Sequence, residues 1–244
     1  MAKKERNQRS KPNKNKKNGK LEAPKPATLF TVVEPNSPIS EQFRTIRTNI
    51  QYAQVNGQTQ SIAVTSAGPS EGKSTSAANL AVMFAKLGLK TLLVDADMRR
   101  PTAHMTFALE NNVGLSNILS IKALSVREVV QKSNIPYLDI MTSGFKAPNP
   151  SELLASNRMK KLIEVLNNIY DFVIFDMPPA ASVTDVQLVA THIDGVVIVV
   201  REEGTDKKLL NRTVDLLEKV DSRILGCIYL AESKLNYTDY YYYS

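Results

Sequence analysis

Hydrophobic positions change their period repeatedly along the chain, and these changes predict an order of strands and helices. From Ser61 onward, short apolar runs rich in β-branched residues alternate with longer amphipathic segments. Because the runs are continuous rather than alternating, they are typical of strands buried on both faces of a sheet. Six strands are predicted, at 61–65, 91–95, 137–141, 171–176, 195–200 and 224–230.

The segments between the runs, and one before them, have helical spacing. Phe43, Ile46 and Ile50 recur at such intervals within 41–52, and Ser40 is a suitable N-cap. Strands that alternate with helices predict an α/β fold, with a mostly parallel sheet flanked by helices on both faces and ligands at the carboxyl ends of the strands. Further helices are predicted at 74–87, 126–132, 159–169, 183–190 and 207–220.

The segment after the first strand reads AGPSEGKST and precedes an apolar helix, which is the context of a P-loop. In such a loop the backbone N–H groups bind phosphate, the lysine reaches the terminal phosphates and a hydroxyl meets Mg²⁺. The match is to the Gly-Lys-Ser end, since Ala67 stands where the general pattern has glycine. The sequence therefore predicts a fold of the P-loop NTPase type. The predicted nucleotide-binding residues of the loop are Gly68, Pro69, Ser70, Glu71, Gly72, Lys73, Ser74 and Thr75.

Two other strands deliver carboxylates to the same edge of the predicted sheet. The second ends in VDADMRRP, which contains Asp95 and Asp97, and the fourth ends in FDMPP, which contains Asp176. Two acids at a buried strand end are costly unless they receive a cation or a proton, so Asp95 and Asp97 are candidates for general base and metal positioning. A single aspartate after a hydrophobic strand is typical of a Walker B element that holds Mg²⁺. ATP and Mg²⁺ are the predicted cofactors, with Lys73, Asp95 and Asp97 as catalytic residues and Ser74, Asp95 and Asp176 as metal ligands.

The net charge of +7 is concentrated at the amino end of the chain. Residues 1–26 carry a net charge of +8, and the remaining residues carry −1. Many Lys, Asn, Pro and Ser residues with few large apolar ones predict a basic disordered arm over 1–26. The nearly neutral remainder argues against a specific nucleic-acid groove. A weak contact of the arm with anionic lipid, with RNA or with nothing at all stays open.

The cysteine content and the apolar runs predict a cytoplasmic chain. Cys227 is the single cysteine, which excludes an internal disulfide framework and is most simply read as a buried strand thiol. The longest apolar run is far below the roughly 20 residues that span a bilayer, and no signal peptide is recognised.

The motifs SEGKST, VDADMRRP and DFVIFDMPPA, together with a terminal tyrosine cluster, resemble the bacterial tyrosine kinases. The resemblance, which runs from about Glu41 to the carboxyl terminus, is to the free-standing cytoplasmic kinase subunits of Gram-positive capsular and exopolysaccharide systems. It implies a P-loop kinase domain, over 27–234, related to the partition and septum-site ATPases. No G-x-G-x-x-G, HRD or DFG motif is present, so the chain does not resemble a eukaryotic-type kinase.

This resemblance implies roles for further residues. Arg99 and Arg100 match the element VDxDxRxP and are predicted to bind the nucleotide, while Asp185 is either the acid that follows the proline pair or a helix cap. The motif E-x-x-R-x-x-R lies on a predicted helix over 38–54 that contacts neighbouring subunits in a ring, with a solvated charged face as the alternative. Leu230 stands where the family has an asparagine near the base, so the alternatives are weaker adenine affinity, weaker base selectivity, or a base that is held elsewhere. The ring motif consists of Glu41, Arg44 and Arg47.

The tail over 235–244 contains five of the nine tyrosines. A frayed end with adjacent aromatic residues predicts a mobile segment presented to a catalyst, against the alternative of a packing tail. The implied function is ATP-dependent autophosphorylation of this cluster between subunits, which regulates polysaccharide synthesis and export. The implied partners are a membrane adaptor, which recruits the kinase to the inner face of the cell membrane, and a tyrosine phosphatase. A partition-type ATPase and a pseudokinase scaffold are the alternatives. The predicted phosphorylation sites are Tyr237, Tyr240, Tyr241, Tyr242 and Tyr243.

Overall fold

The computed structural model describes residues 23–53 and 59–231. The tyrosine cluster and all but the last four residues of the predicted arm therefore lie outside the described residues. The strands are β1 (Ser61–Ser66), β2 (Thr91–Asp95), β3 (Gln131–Lys132), β4 (Leu138–Met141), β5 (Phe172–Asp176), β6 (Gly195–Arg201) and β7 (Ile224–Leu230). The helices are α1 (Phe30–Val33), α2 (Pro38–Tyr52), α3 (Lys73–Ala85), α4 (Ala103–Thr106), α5 (Leu115–Ser120), α6 (Val126–Val129), α7 (Pro150–Leu154), α8 (Asn157–Ile169), α9 (Asp185–Ala190) and α10 (Lys207–Glu218).

The strands form one sheet in the order β3-β4-β2-β5-β1-β6-β7. All neighbouring pairs are parallel except β3 and β4. The strands β2 and β5 are neighbours, and Asp95 of β2 lies directly opposite Asp176 of β5. Because parallel strands end at the same edge, this register brings two carboxylates together beside the loop that follows β1.

Helices cover both faces of the sheet, and each face has its own apolar core. On one face α3 packs with α2 around Phe84 and Phe172, whose rings stack at 3.7 Å between centroids. On the other face α8 and α9 pack against the sheet through residues such as Met159 and Val186. The predicted mostly parallel sheet with helices on both faces is confirmed.

Two local predictions are wrong for identifiable reasons. The helix predicted over 126–132 ends at Val129, and Gln131–Lys132 pairs instead with β4 as an antiparallel edge strand. The first long helix begins at Pro38, the start of the predicted range 38–54, but its N-cap is Ser37 rather than Ser40, because Pro38 occupies the first turn and the Ser37 side chain accepts a hydrogen bond from the Ser40 N–H.

The strand β7 is the edge of the sheet, and it is not buried on both faces as predicted. Its only neighbour among the described strands is β6, and Gly226 and Cys227 are exposed. The prediction that Cys227 is a buried thiol is therefore wrong. An apolar run predicts a strand, but its place at an edge depends on the order of the whole sheet.

Candidate active site

The loop between β1 and α3 has the strained backbone of a phosphate-binding turn. Gly72 caps α3 with φ of +92°, and Ser70 also has a positive φ, of 62°. A Cβ atom at Gly72 would lie 2.5 Å from Cδ1 of Leu230 at the end of β7. The glycine therefore allows both the left-handed turn and the close approach of Leu230. This contact places Leu230 directly beside the predicted nucleotide loop.

We expect Gly72→Ala to destabilise the protein and weaken nucleotide binding, because the new methyl group meets Leu230 in a backbone conformation that alanine disfavours. The strain alone costs about 1 to 2 kcal/mol, and the clash adds to it. The matched control is Gly88→Ala, since Gly88 has a similar φ of +78° and open space around its Cβ position. Urea unfolding of both variants measures the difference. Equal losses of stability would contradict the role given to the Leu230 contact.

Lys73 lies at the centre of a buried cluster of carboxylates. Its Nζ is 2.8 Å from Oδ2 of Asp97 and 3.4 Å from Oδ1 of Asp176, and it donates to the Ser74 hydroxyl at 3.1 Å. Burial by itself lowers the pKa of Lys73, but the negative charges of Asp176, Asp97 and Asp95 outweigh it and raise the pKa above its usual value. The lysine is therefore a fixed positive charge at the first turn of α3.

Asp95 is fully buried, and only one of its carboxylate oxygens has a partner. Oδ2 accepts hydrogen bonds from the backbone N–H groups of Thr102 and Ala103, each at 2.9 Å. Oδ1 is buried without a hydrogen-bond partner. Burial and the nearby charge of Asp176 raise the pKa of Asp95 to about 7, against the opposing effects of the backbone bonds and Lys73. The unpartnered oxygen is suited to receive a cation or a proton.

The residues at this edge fit a magnesium ion. Asp176 is 2% exposed and lies opposite Asp95 in the register. Burial raises the pKa of Asp176, while Lys73 and a hydrogen bond from the Ser74 hydroxyl act in the opposite direction. The Ser74 hydroxyl and the carboxylates of Asp95 and Asp176 are the hard oxygen donors that Mg²⁺ prefers. Oδ1 of Asp95 has no hydrogen-bond partner, so it is available to a cation.

Magnesium would need ligands beyond the protein. Within 23–53 and 59–231, no group of three or more His, Cys, Asp and Glu side chains forms a metal site by itself. Mg²⁺ commonly binds through one or two carboxylates together with water and substrate phosphates.

The carboxylate of Glu71 stabilises the loop by accepting a hydrogen bond from the loop backbone. It is 4% exposed, and its Oε2 accepts a hydrogen bond from the Ala67 N–H at 3.1 Å. Burial raises the pKa of Glu71 above its usual value, and hydrogen bonds with Gly68, Thr205 and Ala67 offset only part of this increase. Glu71 was predicted to bind the nucleotide. Since its carboxylate is engaged within the loop, its backbone N–H is the group that remains for a phosphate.

The two predicted arginines have different surroundings. Arg99 donates to both carboxylate oxygens of the fully buried Asp185, at 3.0 and 3.2 Å, and to the Ser151 hydroxyl at 2.9 Å. Asp185 is the first residue of α9, whose N-cap is Thr184, so it acts as an ion-pair partner rather than as a cap. Arg100 lines the open cleft over the loop. The nucleotide contacts of both arginines stay predictions.

An open cleft of about 320 Å³ lies over the loop. The predicted residues among its lining are Pro69, Ser70, Gly72, Lys73, Ser74, Thr75, Asp97 and Arg100. Thr102, Pro179 and the segment 23–26 also line it, and the sequence reasoning missed them. The buried Asn79 within the apolar helix α3 was the available signal, because such a side chain needs a partner from elsewhere in the chain.

The predicted ring motif is divided between the surface and the interior. Glu41 and Arg44 form an ion pair on the exposed side of α2, and Arg44 also donates to the Pro35 carbonyl. Arg47 donates to the Met83 carbonyl of α3 at 3.3 Å, and burial together with Arg44 lowers its pKa. The contact of Glu41, Arg44 and Arg47 with a neighbouring subunit stays a prediction.

Comparisons with known proteins give the family of the chain. Residues 59–225 match the family described as AAA domain. The tyrosine-protein kinase YwqD of Bacillus subtilis is 46% identical over 88% of this chain and 90% of its own length. The putative tyrosine-protein kinase CapB of Staphylococcus aureus is 37% identical over 88% of this chain and 94% of its own length. The crystal structure of the chimerical protein CapA2B2 is 43% identical, with a TM-score of 0.79 over 84% of this chain and 89% of the other.

A more distant solved structure shows the fold alone. The septum site-determining protein MinD of Pyrococcus horikoshii, complexed with Mg-ADP, is 20% identical, with a TM-score of 0.60 over 70% of each chain. The P-loop NTPase type of fold is thereby confirmed.

The chain belongs to the family of bacterial tyrosine kinases, and the prediction of a protein tyrosine kinase of the capsule and exopolysaccharide class is confirmed. The partition-type ATPase is less well supported, because its similarity to this chain is limited to the fold. Among the described residues, no helix combines the length and hydrophobicity needed to cross a membrane.

Proposed function

We propose that this kinase uses ATP and Mg²⁺ to phosphorylate the tyrosines of its own carboxyl-terminal tail, and that subunits do this to one another. The observation that carries the proposal is the convergence of Lys73, Asp95, Asp97 and Asp176 from three elements at one edge of the sheet, where Lys73 and Asp97 line the cleft. Phosphoryl transfer needs positioned phosphates, charge neutralisation and a carboxylate near the attacking hydroxyl. The cluster supplies groups of each kind.

In this proposal the loop and α3 hold the phosphates of the nucleotide. The backbone N–H groups of the loop and the amino terminus of α3 attract the anionic phosphates, and Lys73 adds a fixed positive charge at their position. Ser74, Asp95 and Asp176 would hold Mg²⁺, which neutralises charge that develops on the phosphate oxygens. Asp97 orients Lys73 through the 2.8 Å ion pair.

In the alternative to a role as magnesium ligand, Asp95 receives the proton of the acceptor tyrosine, because its Oδ1 is the one oxygen of this carboxylate without a hydrogen-bond partner and cannot bind a cation and accept a proton at once. A general base is most effective when its pKa lies near the working pH, and the pKa of Asp95 is raised to about 7. Its two backbone hydrogen bonds fix the carboxylate, so Oδ1 stays in place. The catalytic role of Asp95 rests on this combination of position and acidity.

The tail of one subunit would reach the cleft of a neighbour in a ring. The exposed pair of Glu41 and Arg44 supports an interface along α2. Each added phosphate carries a charge of about −1.5 to −2, so a fully phosphorylated tail would repel its neighbours and loosen the ring.

The remaining partners follow from family membership. We propose a separate membrane adaptor that activates the kinase and recruits it from the cytoplasm to the inner face of the membrane. A tyrosine phosphatase would reset the tail, and the cycle would regulate synthesis and export of capsular or exopolysaccharide. Weak contact of residues 1–26 with anionic lipid is a further proposal, based on their charge.

We expect a ladder of phosphates on the tail of protein taken from its native host. Trypsin cleaves after Lys234 and releases residues 235–244, which contain all five clustered tyrosines. Mass spectrometry of this peptide is the measurement. Tyr137, which is 62% exposed but lies outside the tail, is the internal control for indiscriminate phosphorylation. An unmodified tail in protein that binds ATP, with phosphatases inactive, would favour an ATPase or a scaffold.

Transfer between subunits is tested by mixing two variants. The donor has phenylalanine at all five clustered tyrosines and an intact cleft, while the acceptor carries Lys73→Met and an intact tail. Phosphate on the acceptor tail shows transfer between chains. If the mixture shows none while the wild-type protein phosphorylates itself, transfer occurs within one chain and the ring proposal is wrong.

A further inference from the structure

The segment 23–29, which we call the strap, runs from the end of the predicted arm to the first helix. Its first four residues line the nucleotide cleft together with Lys73, Ser74 and Thr75 of α3. It has no regular secondary structure, and residues 23–26 are exposed. Its position over the cleft therefore depends on contacts with other parts of the chain.

Hydrogen bonds at its carboxyl-terminal end fix the strap. The Ala27 N–H donates to the Thr106 hydroxyl at 2.9 Å, and the Thr28 carbonyl accepts from Nδ2 of Asn79 at 2.8 Å. The N–H and hydroxyl of Thr31, just beyond the strap, both donate to Oδ1 of Asn79, at 3.0 and 2.9 Å. The side chains of Ala27 and Leu29 pack against the apolar core on the same face.

Asn79 links this anchor to the predicted phosphate residues. It is fully buried in α3, and its Nδ2 also donates to the Thr75 carbonyl at 2.9 Å. Lys73 and Ser74 begin the same helix, so strap and phosphate loop are attached to one rigid element. A buried amide that lost these partners would cost about 1 to 3 kcal/mol, which favours the anchored arrangement.

The charges in the cleft suit a triphosphate better than any neutral group. Lys25 from the strap and Arg100 line the cleft with Lys73, while Asp97 is already paired with Lys73. Positive groups around an open cleft raise the local concentration of anions. Lys25 thus adds a positive charge to the lining of the cleft.

We propose that the strap is a wall of the phosphate site and that Lys25 is a further residue that contacts the phosphates of the bound nucleotide. The proposal rests on the proposed function in one respect, that the cleft over Lys73 holds the nucleotide. It makes residues 23–29 part of the nucleotide site, although 23–26 are predicted as the end of the arm. Changes in the strap then change nucleotide affinity without altering the loop.

The test measures the affinity of the full-length protein for ADP and ATP in the presence of Mg²⁺, by titration calorimetry. Lys25→Glu is expected to weaken binding by about threefold to tenfold, as for the reversal of a partly exposed ion pair. The matched control is Lys20→Glu, which makes the same charge change in the arm outside the strap and is expected to leave affinity within about twofold. Unchanged or tighter binding with Lys25→Glu would overturn the proposal, and so would equal losses in both variants.

The anchor is tested separately with Thr31→Val, which keeps the volume of the side chain and removes the hydroxyl that donates to Asn79. We expect faster amide hydrogen exchange at Ala27 and weaker nucleotide binding. Thr48→Val is the control, because the Thr48 hydroxyl donates within α2 to the Arg44 carbonyl. Faster exchange without any loss of affinity would overturn the role of the strap as a wall.

A Lys73→Met protein separates this proposal from the proposed function. If Lys73→Met weakens binding and Lys25→Glu does not, the cleft is the nucleotide site and the strap proposal alone fails. If Lys73→Met binds Mg-ADP and Mg-ATP as the wild-type protein does, the cleft itself is wrongly assigned.

Discussion

Replacing Lys73 with methionine is expected to abolish tail phosphorylation and leave the protein folded. The substitution removes the one charge that three buried carboxylates share, and phosphoryl transfer depends on such a charge beside the terminal phosphates. We expect a loss of at least about a hundredfold in the rate of transfer, the scale of removing one preorganised donor from an active site. Incorporation of labelled phosphate from ATP measures the rate, and circular dichroism monitors the fold.

The matched control for this experiment is Lys132→Met. Lys132 also pairs with a buried carboxylate, Asp139, at 2.9 Å, but it lies on the edge strand β3 and does not line the cleft. Its replacement is expected to leave transfer unchanged. Normal phosphorylation in the Lys73→Met protein would show that the loop is wrongly assigned, whereas equal losses in both variants would indicate a general structural effect.

Replacing Asp95 with asparagine is expected to lower phosphotransfer by about a hundredfold or more, within the range for loss of a general base. The same variant is expected to unfold at a higher temperature than the wild-type protein at pH 8. Asparagine can still accept the hydrogen bonds from Thr102 and Ala103, and it removes a buried charge next to Asp176. Each kcal/mol gained raises the midpoint by roughly 2 to 4 °C in a chain of this size.

The raised pKa of Asp95 predicts the direction in which the stability of the wild-type protein changes with pH. The pKa of Asp95 is raised to about 7 in the folded protein from 3.8 in the unfolded chain, so the folded state binds more protons between these values. The contribution of Asp95 to stability is therefore present at low pH and is lost as the pH rises from about 4 to about 7. The asparagine variant should lack this fall, since it cannot titrate.

A variant at another buried carboxylate checks that the effect is local. Asp139→Asn removes a carboxylate that is 5% exposed near the amino end of β4 and should leave phosphotransfer intact. If Asp95→Asn retains the wild-type rate, or if its midpoint changes with pH as the wild-type midpoint does, the assignment of Asp95 is wrong.

Local sequence determined most of the fold. The apolar runs are strands in the structure to within one residue at each end, because a continuous run of β-branched residues is stable only when both faces are covered. The run at Ile224–Leu230 shows the limit of this reasoning. The same pattern serves an edge strand whose outer positions, such as Cys227, are exposed.

The sequence also determined which residues meet at the edge of the sheet beside the loop. Lys73, Asp95, Asp97 and Asp176 each follow or end a predicted strand, and parallel strands deliver their carboxyl ends to one edge. The positions of these residues along the chain predict that they meet, but they predict no distance between the side chains. The resemblance to the kinase family carried their roles, which stay predictions, and the structure shows their burial and ion pairs.

Only the tertiary structure decided how each charged group is held. The pairing of Lys73 with Asp97, the bracing of the loop by Glu71, and the ion pair of Arg99 with Asp185 join residues whose geometry no local pattern defines. The strap is the clearest case. Residues 23–26 of the strap are predicted as the end of the basic arm and 27–29 as the start of the kinase domain, but no local pattern predicts that the amide of Asn79, buried in α3, forms hydrogen bonds with Thr28 and Thr31. Burial makes such pairing necessary, and burial is a property of the assembled fold.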